Sequence, residues 1–311
     1  MIAALLVVSG LALVVLPGLY GPGLRLPAAE CARLGAASLL LGFAALELGL
    51  VLVALPTVLR ALHAAGFASI CENVLTPLAP GGDLLGWFSA GLAVVVGARA
   101  LSSGTRAYRD ACAVEIEPWL GRHEDRGEFE LVVLPTQRLL AVSVPGAQPQ
   151  VLISDGLCER LDSDQLEAVI RHEAMHQRFR HWRFLLLAIS VERALFPIPL
   201  VKRSTRTLRT ALEAWADESA AGDSASGRAL MRRALVAVAG EVEDADPRCA
   251  AKRVVRDRAR RLERAPRPSP VVLRLAVHGP LLMLGVASLV LLTGWVAGAH
   301  HATALTGYCP D

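Results

Sequence analysis

No two of the six cysteines are spaced Cys-x-x-Cys, and none falls at zinc-knuckle spacing, which argues against a cysteine-based metal site. An excess of charge of either sign is also lacking. A net charge of +3 over 311 residues makes no electrostatic case for a nucleic-acid partner. The first apolar run lacks a preceding basic residue and a following small-x-small cleavage site. It therefore reads as a retained anchor, not a removable leader. What the chain has in quantity is apolar surface. Hydrophobic residues make up 53% and mean hydropathy is +0.44, too apolar for an ordinary soluble globule and pointing to a bilayer.

Residues 2–19, 34–59, 84–101 and 275–299 are long and apolar enough to read as membrane spans. Arg25 and Arg33 follow the first span, and Arg99, Arg106 and Arg109 cluster at the end of the third. Six arginines between Arg256 and Arg267 precede the fourth, whereas loop 61–83 and the tail after residue 299 carry no Lys or Arg. The positive-inside rule then places the N-terminus, that loop and the tail outside, and residues 102–274 in the cytoplasm of a bacterial cell. Cys71 and Cys309 fall on the oxidising side, where a disulfide or two unrelated thiols both fit. Glu47 sits near the middle of the second span, as a functional carboxylate or as a packing group.

The expected architecture is a mainly α-helical integral membrane protein with about four transmembrane helices and a cytoplasmic α+β domain carrying a small β-sheet. Its divisions are residues 1–101, 102–270 and 271–311. Apolar runs at 129–134, 138–144 and 150–154, separated by Pro- and Gly-containing turns, predict a small, mostly antiparallel sheet. A helix should start at Asp162, with Gln165 completing a capping box and Leu161 and Leu166 placed as a hydrophobic staple. The stretch 184–201 is broken by Glu192, Arg193, Pro197 and Pro199, which suits an interfacial or re-entrant hairpin better than a fifth span. A further helix is expected over residues 208–221.

The first of these helices carries His172-Glu173-Ala174-Met175-His176. Residues four apart share a helix face, so both imidazoles can meet one cation, and neutral imidazole is a good zinc ligand. Glu173 is offset by about 100° of helix rotation, so its carboxylate reaches water at the metal and not the metal itself. A catalytic zinc needs a third protein ligand and an open position; Glu213 is the candidate, with Glu218 as rival. Asp217, one turn beyond Glu213, could accept a hydrogen bond from a ligating histidine. Trp215 reads as core packing in preference to substrate contact, and His123 and His181 as surface residues in preference to oxyanion donors. His278 lies inside the fourth span, and His300 and His301 in the outer tail. The basic run 248–267 reads either as a lipid-binding face or as a solvated helix.

Three stretches carry a resemblance. Residues 171–176 (Arg-His-Glu-Ala-Met-His), 153–157 (Ile-Ser-Asp-Gly-Leu) and 212–217 (Leu-Glu-Ala-Trp-Ala-Asp) together resemble the membrane gluzincin metallopeptidases. The likeness is closest to the antibiotic-sensor signal-transducer family that controls penicillinase repressors, and extends to the HtpX-like membrane peptidases. It covers roughly residues 129–235. It implies a zincin-like domain in which His172, His176 and Glu213 bind Zn2+, Glu173 is the general base and Asp217 supports a ligand. It also implies a protein or peptide substrate, such as a transcriptional repressor. The sensor family carries an outer ligand-binding domain after its last span, whereas only about a dozen residues follow residue 299 here.

These readings leave three functions in competition: a regulatory protease answering an envelope signal, a quality-control protease for membrane proteins, and a non-catalytic zinc-stabilised scaffold. The intact Glu173 argues against the last, since a structural metal site has no need of a general base. A strand at the sheet edge, 138–144 or 150–154, is expected to pair with an extended substrate.

Overall fold

The structure is a computed structural model that describes residues 2–20, 26–62, 82–112, 121–146, 148–239 and 250–263. The expected fourth span, Cys71, Cys309, His278, His300 and His301 lie outside the described residues. The protein is mostly helical with one small mixed sheet.

Helices α1 (Ile2–Tyr20), α2 (Ala28–Ala61) and α3 (Gly82–Cys112) coincide with the first three apolar stretches. Two of them, α2 and α3, are long and apolar enough to cross a membrane. Only 22% of the most apolar stretch of α3 is buried, so most of its apolar side chains face outward, unlike a core helix of a soluble protein.

Glycines let α1 and α2 approach closely. A Cβ on Gly10 would lie 2.5 Å from the Leu46 amide nitrogen, and one on Gly42 would lie 2.7 Å from the Gly10 carbonyl. Ser38 donates to the Leu13 carbonyl across the same seam at 2.7 Å. At the other end of α2, Arg60 pairs with Asp83 at the start of α3. Glu47 of α2 turns toward Gly97 of α3, and its Oε1 is buried with no hydrogen-bond partner among the described residues.

The sheet comprises β1 (Arg122–Asp125), β2 (Glu130–Leu134), β3 (Ala141–Val144) and β4 (Gln150–Ser154), in the order β1-β2-β4-β3. The outer pairings are antiparallel, and β2–β4 is parallel. Strand β1 was not expected: Arg-His-Glu-Asp is fully exposed and has no apolar alternation to read. The third strand begins at Ala141, not Arg138. Strand β4 is buried at Val151, Leu152, Ile153 and Ser154, as an interior strand should be. It therefore offers no free edge, which removes the 150–154 strand as a substrate-pairing candidate.

Short α4 (Asp155–Arg160) leads to α5 (Ser163–Arg178), whose capping box between Asp162 and Gln165 forms as the sequence predicts. Helices α6 (His181–Ala194) and α7 (Pro199–Ala221) form a hairpin, followed by α8 (Ala225–Ala239) and α9 (Ala250–Leu262). Helix α7 starts at Pro199, nine residues before the expected 208. Proline at the first helical position has no amide hydrogen to leave unpaired, so it begins the helix instead of breaking it.

Two cores result. One packs the sheet against α5 and α8 through Leu131, Val151, Ile153, Val169, Ile170 and Met231. The other joins α1 and α2 to α6 and α7 through Val14, Leu39, Val191, Val201, Leu208 and Leu212. The apolar N-terminal helices and the helices after the sheet thus share one core. Two polar ties reinforce it. Ser204 of α7 donates to the Val15 carbonyl and accepts from the Gly18 amide, and Glu218 accepts from the first amide of α2, at Ala28, at 3.0 Å.

Candidate metal centre

Packing of α5 on α7 brings the expected ligands together. His172 and His176 stand one turn apart on α5, and Glu213 rises from α7 opposite them. The Nε2 atoms of the two histidines are 3.2 Å apart. Glu213 Oε2 lies 3.7 Å from His172 Nε2, and Oε1 lies 3.6 Å from His176 Nε2. Ligands about 2.0–2.1 Å from a tetrahedral ion sit ~3.3 Å from one another, so the spacing fits a single ion with little movement. One ligand atom from each residue lies within 4.8 Å of the others, and the group could hold a metal ion.

Asp217 stands behind His172, its Oδ1 3.0 Å from Nδ1 and only 2% of its surface exposed. At this distance the carboxylate faces the ring N–H edge, and it favours the protonated form of that nitrogen. A proton kept on Nδ1 leaves Nε2 free for a metal. Glu218, the rival ligand, points elsewhere: its carboxylate takes Arg261 at 2.6 Å and the start of α2.

Two residues enter the site that the sequence reading placed elsewhere. Arg258, on α9, meets Asp217 with two hydrogen bonds of 2.7 and 2.8 Å, and its Nη1 lies 3.1 Å from Glu213 Oε2. The basic run is thus neither wholly solvated nor wholly free for lipid. Its Arg258 and Arg261 turn inward with Leu262, while Arg256 and Arg260 stay exposed. Spacing of 258, 261 and 262 along one helix face was the available signal.

His181 is the second. Expected at the surface, it is 0% exposed. Arg180 takes a left-handed conformation (φ 51°), which ends the run of α5 and folds the chain back. The His181 ring then packs against Phe179 and Trp215, with its Nδ1 3.0 Å from His176 Nδ1. Of two such nitrogens, one must carry the hydrogen and the other accept it. If His176 Nε2 faces a metal, His176 Nδ1 is the donor and His181 the acceptor. No sequence signal marks the break at Arg180. Trp215 is core packing, as expected, and His123 sits exposed on β1 beside Glu130.

Electrostatics divide the group. Burial pulls His172 down, but Asp217 and Glu213 outweigh it and push the imidazole up to about 9. Burial lowers His176 to about 4, and burial with the neighbouring His176 lowers His181 to about 3. Glu213 is pushed up by burial, yet His172 and Arg258 hold it down at about 2. Asp217 is likewise lowered, burial being overcome by Arg258 and His172. Glu173 goes the other way: burial raises it, helped by the Glu213 charge, with the charge of His172 and then the Ser143 side chain of β3 pulling against that.

The arrangement offers two neutral-capable imidazoles and a carboxylate to a cation, beside a second carboxylate with an enhanced hold on protons. Set against family models, curated proteins and solved structures, the chain matches none.

Proposed function

We propose that the chain is a membrane-embedded zinc endopeptidase of gluzincin type, related to the antibiotic-sensor signal transducers and the HtpX-like peptidases. In this reading four spans, the last over residues 275–299, hold a zincin-like domain on the cytoplasmic side. Its substrate is a cytoplasmic or juxtamembrane protein segment, such as that of a transcriptional repressor.

The observation that supports it best is the convergence of His172, His176 and Glu213 with Glu173 alongside. The nitrogen and oxygen donors suit zinc, which when bound supplies Lewis acidity to a peptide carbonyl and acidifies water. Asp217 keeps the Nδ1 hydrogen of His172 in place, and His181 does the same for His176. Glu173, with its raised proton affinity, takes a proton from the attacking water and hands it to the departing amide nitrogen. Strand β3 is at the sheet edge with Ser143 beside Glu173, so an extended peptide pairing with it would lie next to the proton carrier.

The test is Glu173→Gln, compared with wild type by metal analysis and by proteomics of cleavage products in cells. Stoichiometric zinc in both, with cleavage products in wild type only, is expected. Unchanged output from the variant would favour the scaffold, and purified protein without stoichiometric metal would end the reading.

A further inference from the structure

We propose that the tip of the α6–α7 hairpin, residues 193–206, is a docking surface for anionic phospholipid headgroups. The proposal rests on the membrane reading above.

The hairpin runs alongside the apolar helices. At its base, Trp182 lies 5.9 Å, ring to ring, from Tyr108 of α3. Two turns on, the Ser190 hydroxyl sits 2.6 Å from where a Cβ on Gly104 would be. Helix α6 therefore runs antiparallel to α3, heading toward Gly97, where Glu47 sits. One turn later Ala194 and Leu195 bury in the core that also holds Leu46 and Val96, residues well inside α2 and α3. The return arm of the hairpin, α7, lays the Leu200 carbonyl and the Ser204 side chain on Gly18, near the end of α1.

The tip itself is exposed. Phe196 is 67% and Leu200 40% exposed, and Leu19, beside the Gly18 that α7 touches, is exposed as well. Around them stand Arg193, Lys202, Arg203 and Arg206, all exposed. None of the four makes an ion pair among the described residues, whereas nearby Arg209 is neutralised by Glu192 at 2.9 Å. The C-terminal arginines Arg258 and Arg261 are similarly occupied by acids.

An apolar finger ringed by unpaired cations, flush with helices apolar enough to cross a membrane, matches the boundary of a bilayer. The aromatic and leucine enter the acyl edge, and the long cationic side chains reach up to phosphates. An acidic protein partner would satisfy the cations but would leave the finger and the adjoining apolar belt without a continuous cover.

The experiment uses the full chain. Alkaline extraction of membranes comes first: release of the protein would overturn the membrane reading itself. Protein reconstituted in nanodiscs of mixed phosphatidylcholine and phosphatidylglycerol is then released in mild detergent, and its retained lipids are weighed by native mass spectrometry. Wild type should keep phosphatidylglycerol over phosphatidylcholine by about fivefold or more, the gain expected from even one cation near an anionic headgroup. The Lys202→Gln/Arg203→Gln/Arg206→Gln variant should lose that preference while retaining its metal, which reports that it is folded. Phe196→Trp should add fluorescence that acyl-brominated lipid quenches. Equal retention of both lipids by wild type, an unchanged preference in the triple variant, or added fluorescence in Phe196→Trp that brominated lipid leaves unquenched would each overturn the proposal.

Discussion

Metal binding here should carry a defined proton count. Asp217 and Glu213 hold His172 up at about 9, so at pH 7 its imidazole is charged and must lose a proton before Nε2 can take a metal. His176, at about 4, and Glu213, at about 2, have none to lose above pH 5. Zinc affinity should therefore rise by one decade per pH unit from about pH 5 to about pH 9, then level off. The two units between 7 and 9 correspond to ~100-fold, or about 3 kcal/mol at ~1.4 kcal/mol per unit. Calorimetric titration in buffers of different ionisation enthalpy, with a competing chelator to keep affinities measurable, counts the protons directly. About one proton per zinc is expected at pH 7. In Asp217→Asn the plateau should move to lower pH, because the carboxylate that favours the imidazolium is gone. Release of no proton or of two, or an affinity flat between pH 6 and 9, would refute the charge assignment. The same shift has a stability sign. A folded-state value of about 9 against 6.5 for a free imidazole stabilises the metal-free fold fully below pH 6.5, and that contribution disappears as pH rises through 9.

Three further outcomes follow from the packing. Arg258→Gln strands the buried Asp217 carboxylate and should destabilise the protein by ~3–5 kcal/mol, read as a lowered midpoint of thermal unfolding in detergent; an unchanged midpoint would count against the ion pair. His181→Leu preserves apolar contact with Phe179 and Trp215 but removes the acceptor facing His176, so zinc affinity should fall ~10–100-fold, with His181→Asn losing less. Equal affinity in the Leu variant would show that His181 only packs. Gly42→Leu would drive a side chain into the Gly10 carbonyl and should cost ~1–3 kcal/mol, whereas Gly91→Leu on α3, with nothing within 4 Å, serves as the neutral control in the same melt.

Much of this protein is legible from neighbours along the chain. The apolar lengths mark α1, α2 and α3, and the Asp162–Gln165 pair sets the start of α5. Spacing of four puts His172 and His176 on one face of α5, and the same period puts Glu213 and Asp217 on one face of α7, where both meet His172. Each of these depends on interactions within a turn or two, which local sequence encodes. Tertiary structure decided the rest. Pairing β2 with β4 in parallel buried the strand that looked available to substrate and left β3 at the edge. The left-handed turn at Arg180 carried His181 inward against His176. Asp217 found Arg258 across 41 residues of chain, and Glu218 was drawn away from the His172–His176–Glu213 group by Arg261 and the start of α2. Those partners are chosen by which helix faces meet, a property of the packed core and not of any short stretch of sequence.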